Sequence, residues 1–175
     1  MVAARTPGRA RSAAYHAASM MVPVQLSRIF IREMTDMQII ELSEIEGERA
    51  FPIVIGLPEA FAIERRLKGL EIARPQTHDL LASVIESLGG SLLRIEIHDL
   101  REGTFFASLV VQQGDREVRI DSRPSDAMAL GVAKGVPILV AEAVLDEASR
   151  EAQSGVGPVP EIGPEHEPDE EVDET

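Results

Sequence analysis

Residues 92–130, LLRIEIHDLREGTFFASLVVQQGDREVRIDSRPSDAMAL, decide the architecture. Alternating or continuous apolar runs predict strands at Leu92–Ile97, Phe105–Val111 and Glu117–Asp121, and a helix begins near Pro124, which suits the first helical turn. The same pattern occurs earlier in the chain. Leu26, Arg28, Ile29 and Ile31 match Leu92, Arg94, Ile95 and Ile97 at an offset of 66 residues. After one inserted residue, Gly47, Glu48, Arg49 and Ile53 match Gly114, Asp115, Arg116 and Ile120, and Glu59–Ile63 match Asp126–Leu130. Either a true duplication or a shared three-strand-plus-helix pattern produces this. In both cases each unit presents one apolar sheet face, and pseudo-two-fold pairing within one domain buries both.

Working outward, Val22, Val24 and Leu26, then Ile29 and Ile31, give a first strand whose alternation slips once. Met37–Ile45 and Phe51–Ile55 complete a meander, and Pro58 opens a helix with Ala60, Ile63 and Leu67 on one face and Glu64, Arg65 and Lys68 on the other. A second helix is expected with Thr77 as N-cap and a stripe of Leu81, Val84, Ile85 and Leu88, stopped by Gly89 and Gly90. Val136–Val140 reads as a short strand and Glu142–Ala148 as a last helical turn. The predicted class is α+β, a mixed and largely antiparallel sheet with packed helices.

A chain of 175 residues, 44% hydrophobic and 27% charged, has material for one globular core. Aromatics are scarce at 3%, so base-stacking platforms are poorly supplied, and the absence of cysteine excludes disulfides, thiolate metal sites and a cysteine nucleophile. No apolar run reaches the ~18 residues of a membrane-spanning helix, and the expected location is cytoplasmic. Residues 1–20 carry Arg5, Arg9 and Arg11 without an acid and lack the apolar core of an export signal; they read as a disordered leader or an over-extended gene start. The folded domain is expected over 21–148. Residues 149–175, rich in Pro, Gly and Glu, read as a disordered acidic tail with nine carboxylates after Arg150.

Two polar clusters interrupt the apolar elements: RPQTHDL at 74–80 and DSRPSDA at 121–127. Each sets an Arg–Pro dipeptide just ahead of a helix with carboxylates in its first turn. Free N–H groups and the positive dipole end then lie close to a guanidinium and a carboxylate. Such a corner can hold a phosphate through Arg74 or Arg123, with Thr77 and Ser125 as further donors, or a cation through Glu59, Asp79, Asp121 and Asp126. It can equally be simple capping. His78, at the border of the apolar stripe and beside Asp79, reads either as a partly buried structural histidine or as the candidate general base, with Asp79 and Asp126 as its catalytic partners. His98, at a strand end, is left out.

The ordered succession FPIVIGLPEA (51–60), RPQTHDLL (74–81), RIEIHDL with GTFFASL (94–109), IDSRPSDAMAL (120–130) and GVPILVAEAVL (135–145) closely resembles the bifunctional nuclease domain family over residues 22 to about 147. The resemblance implies hydrolysis of phosphodiester bonds in DNA and RNA with little base preference. It points to Glu59, Arg74, Thr77, His78, Asp79, Asp121, Arg123, Pro124, Ser125 and Asp126 as the motif positions. The helical repair-protein-like module that some members append is replaced here by the acidic tail. Residues 21–150 still carry a net charge of −7, which opposes a simple nucleic-acid binder and makes carboxylate-held Mg²⁺ or Mn²⁺ the expected cofactor. A homo-oligomer, most simply a dimer, is expected. A non-catalytic regulatory or assembly module, in which the Arg–carboxylate clusters are structural or anion-binding networks, is the alternative.

Overall fold

A computed structural model describes residues 20–32 and 35–155. Among them seven strands form one sheet: β1 (Met21–Phe30), β2 (Met37–Glu44), β3 (Ala50–Gly56), β4 (Gly90–Arg101), β5 (Thr104–Gln113), β6 (Arg116–Ser122) and β7 (Ile138–Ala141). The helices are α1 (Leu57–Leu67), α2 (Thr77–Ser87), α3 (Pro124–Gly131), extended by a 3₁₀ turn at Val132–Lys134, and α4 (Glu142–Ser154). The spatial order β3-β2-β1-β7-β4-β5-β6 is symmetric about β7. All neighbours are antiparallel except β4 and β7, so β1 and β4 run in opposite directions on either side of β7. That is the arrangement a two-fold axis normal to the sheet requires of two three-strand units.

The slip of alternation in β1 has a local cause. Pairing with β2 shifts register between Leu26 and Arg28, leaving Ser27 as a bulge. The β4–β5 ladder shifts between Leu92 and Arg94, the positions matched to Leu26 and Arg28 in sequence. The repeated unit therefore carries its bulge with it, which a shared apolar pattern alone does not demand.

Residues of every strand except the edge strand β6 enter one core. Ile40, Leu42, Phe51 and Ile53 meet Ile95, Ile97, Ala107 and Leu109, joined by Ala60 and Ile63 of α1, Met128 and Leu130 of α3, and Val144 and Leu145 of α4. Phe51 of edge strand β3 stacks on Phe105 of β5, with ring centroids 5.5 Å apart. Strands at positions one and six of the order can touch only if the sheet curls strongly on itself. The curl brings the two ends of the sheet toward one another and leaves a cleft at their seam.

Three expectations need correction. Gln76, not Thr77, is the N-cap of α2, because Asp79 reaches back to accept the Gln76 amide at 3.0 Å. The α2 stripe does not enter the core: none of its residues is buried, and only Ala82 and Ile85 lean on the core cluster. Helix α4 runs to Ser154, with Ala148 and Ser149 buried, so the folded part extends beyond the boundary expected at 148. The leader at 1–19 and the acidic segment at 156–175 lie outside the described residues. Among the described residues, no helix is long and apolar enough to cross a membrane.

Candidate functional site

The two Arg–Pro clusters, distant in sequence, meet through α2 and α3. His78, in the first turn of α2, places Nε2 3.0 Å from Asp126 Oδ1 in the first turn of α3. Arg123, the N-cap residue of α3, donates from Nε to Asp126 Oδ2 at 2.7 Å and from one terminal nitrogen to Asp126 Oδ1 and Glu59 Oε1, at 3.1 and 2.7 Å. Glu59 belongs to the first turn of α1 and folds back against Gly56. A Cβ at position 56 would fall 2.3 Å from Glu59 Oε2, so glycine there lets the carboxylate reach Arg123.

Burial pushes the Asp126 carboxyl upward, but hydrogen bonds from Arg123 and His78 outweigh it and hold the group below the ordinary aspartate range. An ionised Asp126 is acceptor-only, so Nε2 of a neutral His78 carries the proton and Nδ1 keeps the lone pair. The Arg123 side chain is 65% exposed. Its other terminal nitrogen makes no hydrogen bond among the described residues and is free to donate to an anion.

Asp79 faces a different set of partners. Arg65 donates to its Oδ2 at 2.7 Å, and Arg66 donates to Oδ1 from Nε and a terminal nitrogen at 3.1 and 2.9 Å. Arg66 also donates to the carbonyls of Ala129 and Leu130 at the end of α3, at 2.7 and 3.1 Å, where a cation suits the helix dipole. Asp79 is thus the hub of a clamp joining α1, α2 and the C-terminus of α3. Desolvation alone would raise its pKa, yet the two arginines and the Gln76 amide bring it down to about 2.

The remaining expected residues stand apart. Arg74 and Thr77 are exposed ahead of the His78 turn, and Asp121 is exposed on β6; none of the three makes a side-chain hydrogen bond or ion pair among the described residues. Ser125 is buried in α3. The carboxylates expected to hold Mg²⁺ or Mn²⁺ do not fit a shared ion: Asp79 is enclosed by two guanidiniums, Glu59 and Asp126 are joined through Arg123, and no group of three His, Asp or Glu among the described residues is placed to hold a metal.

Arg65 and Arg66 were missed from sequence. Arg66 lies three residues after the buried Ile63, on the same face of α1, and an arginine there needs a buried partner. The seam of the curled sheet was also missed. It forms a cleft of about 320 Å³ between Pro52–Gly56 of β3, the β4–β5 turn at Gly103–Phe105, Arg123–Ser125 and the end of α4. His78 and Asp126 do not line it. Arg123 belongs to both the cleft and the cluster.

The match to known proteins falls on this part of the chain. Residues 40–153 fit the model of the bifunctional nuclease domain. The chain belongs to the bifunctional nuclease domain family. Two similar relatives are the uncharacterized proteins MT1877 and Rv1829 of Mycobacterium tuberculosis, from two strains, each 40% identical over 144 residues. The alignments cover 78% of this chain and 86% of theirs. All of the described site, from Glu59 to Asp126, lies inside the family match, whereas the central strand β1 precedes it.

Proposed function

We propose that this family member is a nuclease that hydrolyses phosphodiester bonds with His78 as general base. The observation that carries the reading is the His78–Asp126–Arg123 arrangement at the start of α3. Asp126 orients the imidazole by accepting from Nε2, which presents Nδ1 as the acceptor for a proton from an attacking water; the water oxygen bonds to phosphorus as the P–O bond to the departing sugar oxygen breaks, and that oxygen takes its proton from solvent. Arg123, held by Asp126 and Glu59 yet largely exposed, supplies a fixed guanidinium for the non-bridging phosphate oxygens, where charge develops in the transition state. The exposed Arg74, just ahead of α2, adds a second phosphate-seeking cation. Of the carboxylates expected to hold a Mg²⁺ or Mn²⁺ ion, Glu59, Asp79 and Asp126 are engaged by arginines and Asp121 stands apart on β6, so the scheme rests on the protein's own groups. DNA and RNA are the proposed substrates.

A second reading, a non-catalytic module, is favoured by one observation: each carboxylate of the cluster is neutralised by an internal partner, as in a network built for rigidity.

The discriminating experiment assays full-length protein on labelled single- and double-stranded DNA and RNA, with and without EDTA, beside His78→Asn and Asp126→Asn purified identically. His78→Asn is expected to lower kcat by about 10²–10⁴-fold while KM holds. Arg123→Lys is expected to weaken kcat and KM together, since lysine cannot keep both the Asp126 fork and a free donor. Equal cleavage by wild type and His78→Asn would assign the activity to a contaminant and leave the module reading.

A further inference from the structure

We propose that the outer face of α2 is the self-association surface of this protein, joining two copies of the chain about a two-fold axis. Helix α2 is unusual in burying none of its eleven residues. Its position is fixed instead by the Asp79 clamp and by Ala82 and Ile85 leaning on the core. Leu80, Leu81, Val84 and Leu88 fall within about 100° of one another around the helix axis, on the side away from those anchors. All four are exposed, Leu80 at 56% and Leu88 at 68%. An apolar stripe this regular has no function in water.

Two further observations select a second copy as its occupant. The first is charge. Every charged or titratable side chain of α2 lies on the side of the helix opposite the stripe and is engaged: His78 with Asp126, Asp79 with Arg65 and Arg66, and the exposed Glu86 with Lys134. On α2 the exposed stripe is flanked by Thr77, Ser83 and Ser87, and the exposed Glu71 and Arg74 of the preceding connection carry opposite charges. A chain of net charge −13 repels its own copy, and residues on a two-fold axis meet their own symmetry mates, so a stripe without like charge is the place where two copies approach with least repulsion. The second is area. Leu70 and Ile72, in the connection that leads into α2, are exposed as well. At roughly 80–100 Å² left open on each of these six side chains, α2 and the connection into it expose on the order of 500–600 Å² of apolar surface, about two thirds of it on α2, which with the polar residues around it approaches the ~800 Å² per partner of a stable interface.

Sedimentation of the full-length chain across a concentration series tests this, with Val84→Glu as the disrupting variant. Val84 is exposed, so the substitution leaves the fold intact, which thermal unfolding verifies. Wild type is expected to sediment as a dimer, and Val84→Glu, which faces two new carboxylates across the axis, is expected to raise the dissociation constant by about 100-fold or more. Because the chain has no cysteine, Val84→Cys gives an independent readout: an oxidised disulfide dimer is expected from it and not from Arg150→Cys. A monomeric wild type would overturn the proposal and leave the stripe to a different partner. A dimer that survives Val84→Glu, or that Val84→Cys fails to cross-link, would place the interface elsewhere.

Discussion

Replacing Asp79 by asparagine keeps the shape of the clamp and removes its charge. Two guanidiniums, Arg65 and Arg66, with side chains 16% and 10% exposed, then lose their counter-ion at the junction of α1, α2 and α3. The Asp79 carboxyl titrates at about 2 rather than at 3.8, and a gap of nearly two pH units corresponds to roughly 2.5 kcal/mol. Solvent reaches one side of the group, so screening lowers this to about 1–2 kcal/mol. The sign follows from the lowered folded-state value. The stabilisation is present in full above the unfolded pKa and disappears as pH falls through the folded one. Urea unfolding of wild type and Asp79→Asn, followed by circular dichroism, should show a gap of this size near neutral pH that closes between about pH 4 and about pH 2. A gap that persists unchanged at the acid end would refute the electrostatic origin. No gap at neutral pH, together with lost nuclease activity, would return Asp79 to a catalytic role.

Three other outcomes follow from the same geometry. Arg49 joins Glu44 of β2 to Glu142 and Asp146 of α4, so Arg49→Ala sets three carboxylates against one another and should cost about 2 kcal/mol in thermal unfolding, less at high salt. A Cβ on Gly90 would lie 3.0 Å from the Ile85 carbonyl and from Val111, so Gly90→Ala should lever α2 from the sheet, cost about 1–2 kcal/mol and speed amide exchange in α2. Deleting residues 156–175, which carry eight carboxylates, should tighten nucleic-acid binding at low salt and change little at high salt; equal affinity at low salt would remove electrostatic competition by that segment.

The sheet was legible because its signals are local. The matched bulges at Ser27 and Leu93 even leave a trace, the lost beat of alternation after Leu26. Helix α2 was misread for a physical reason: amphipathy shows that a face is apolar but not what covers it, and here the sequence stripe points to solvent. The length of α4 was recoverable, since Leu145, Ala148 and Ala152 keep helical spacing through a polar stretch. Of the site, the pairing of His78 with Asp126 follows from two motifs that each open a helix. The clamp on Asp79 does not, because Arg65 reads on α1 as solvent-facing charge and the position of Arg66 beside Ile63 asks for a buried partner without saying which. Asp121 was grouped with Arg123 by proximity along the chain, yet a strand and the helix after it aim neighbouring residues in different directions.

Strand β7 has one more implication, which concerns when the molecule can fold. β1 and β4 never pair with each other; each closes its ladder only on the four residues Ile138–Ala141. During synthesis, two half-sheets can form while their inner edges wait for a strand that begins 48 residues after the start of β4, and far beyond β1. Until that strand emerges both halves carry an open, apolar edge, the geometry most prone to pairing with another nascent chain. The last short strand is the keystone: a stop or a stall before residue 138 leaves two half-sheets without the strand that hydrogen-bonds them into one.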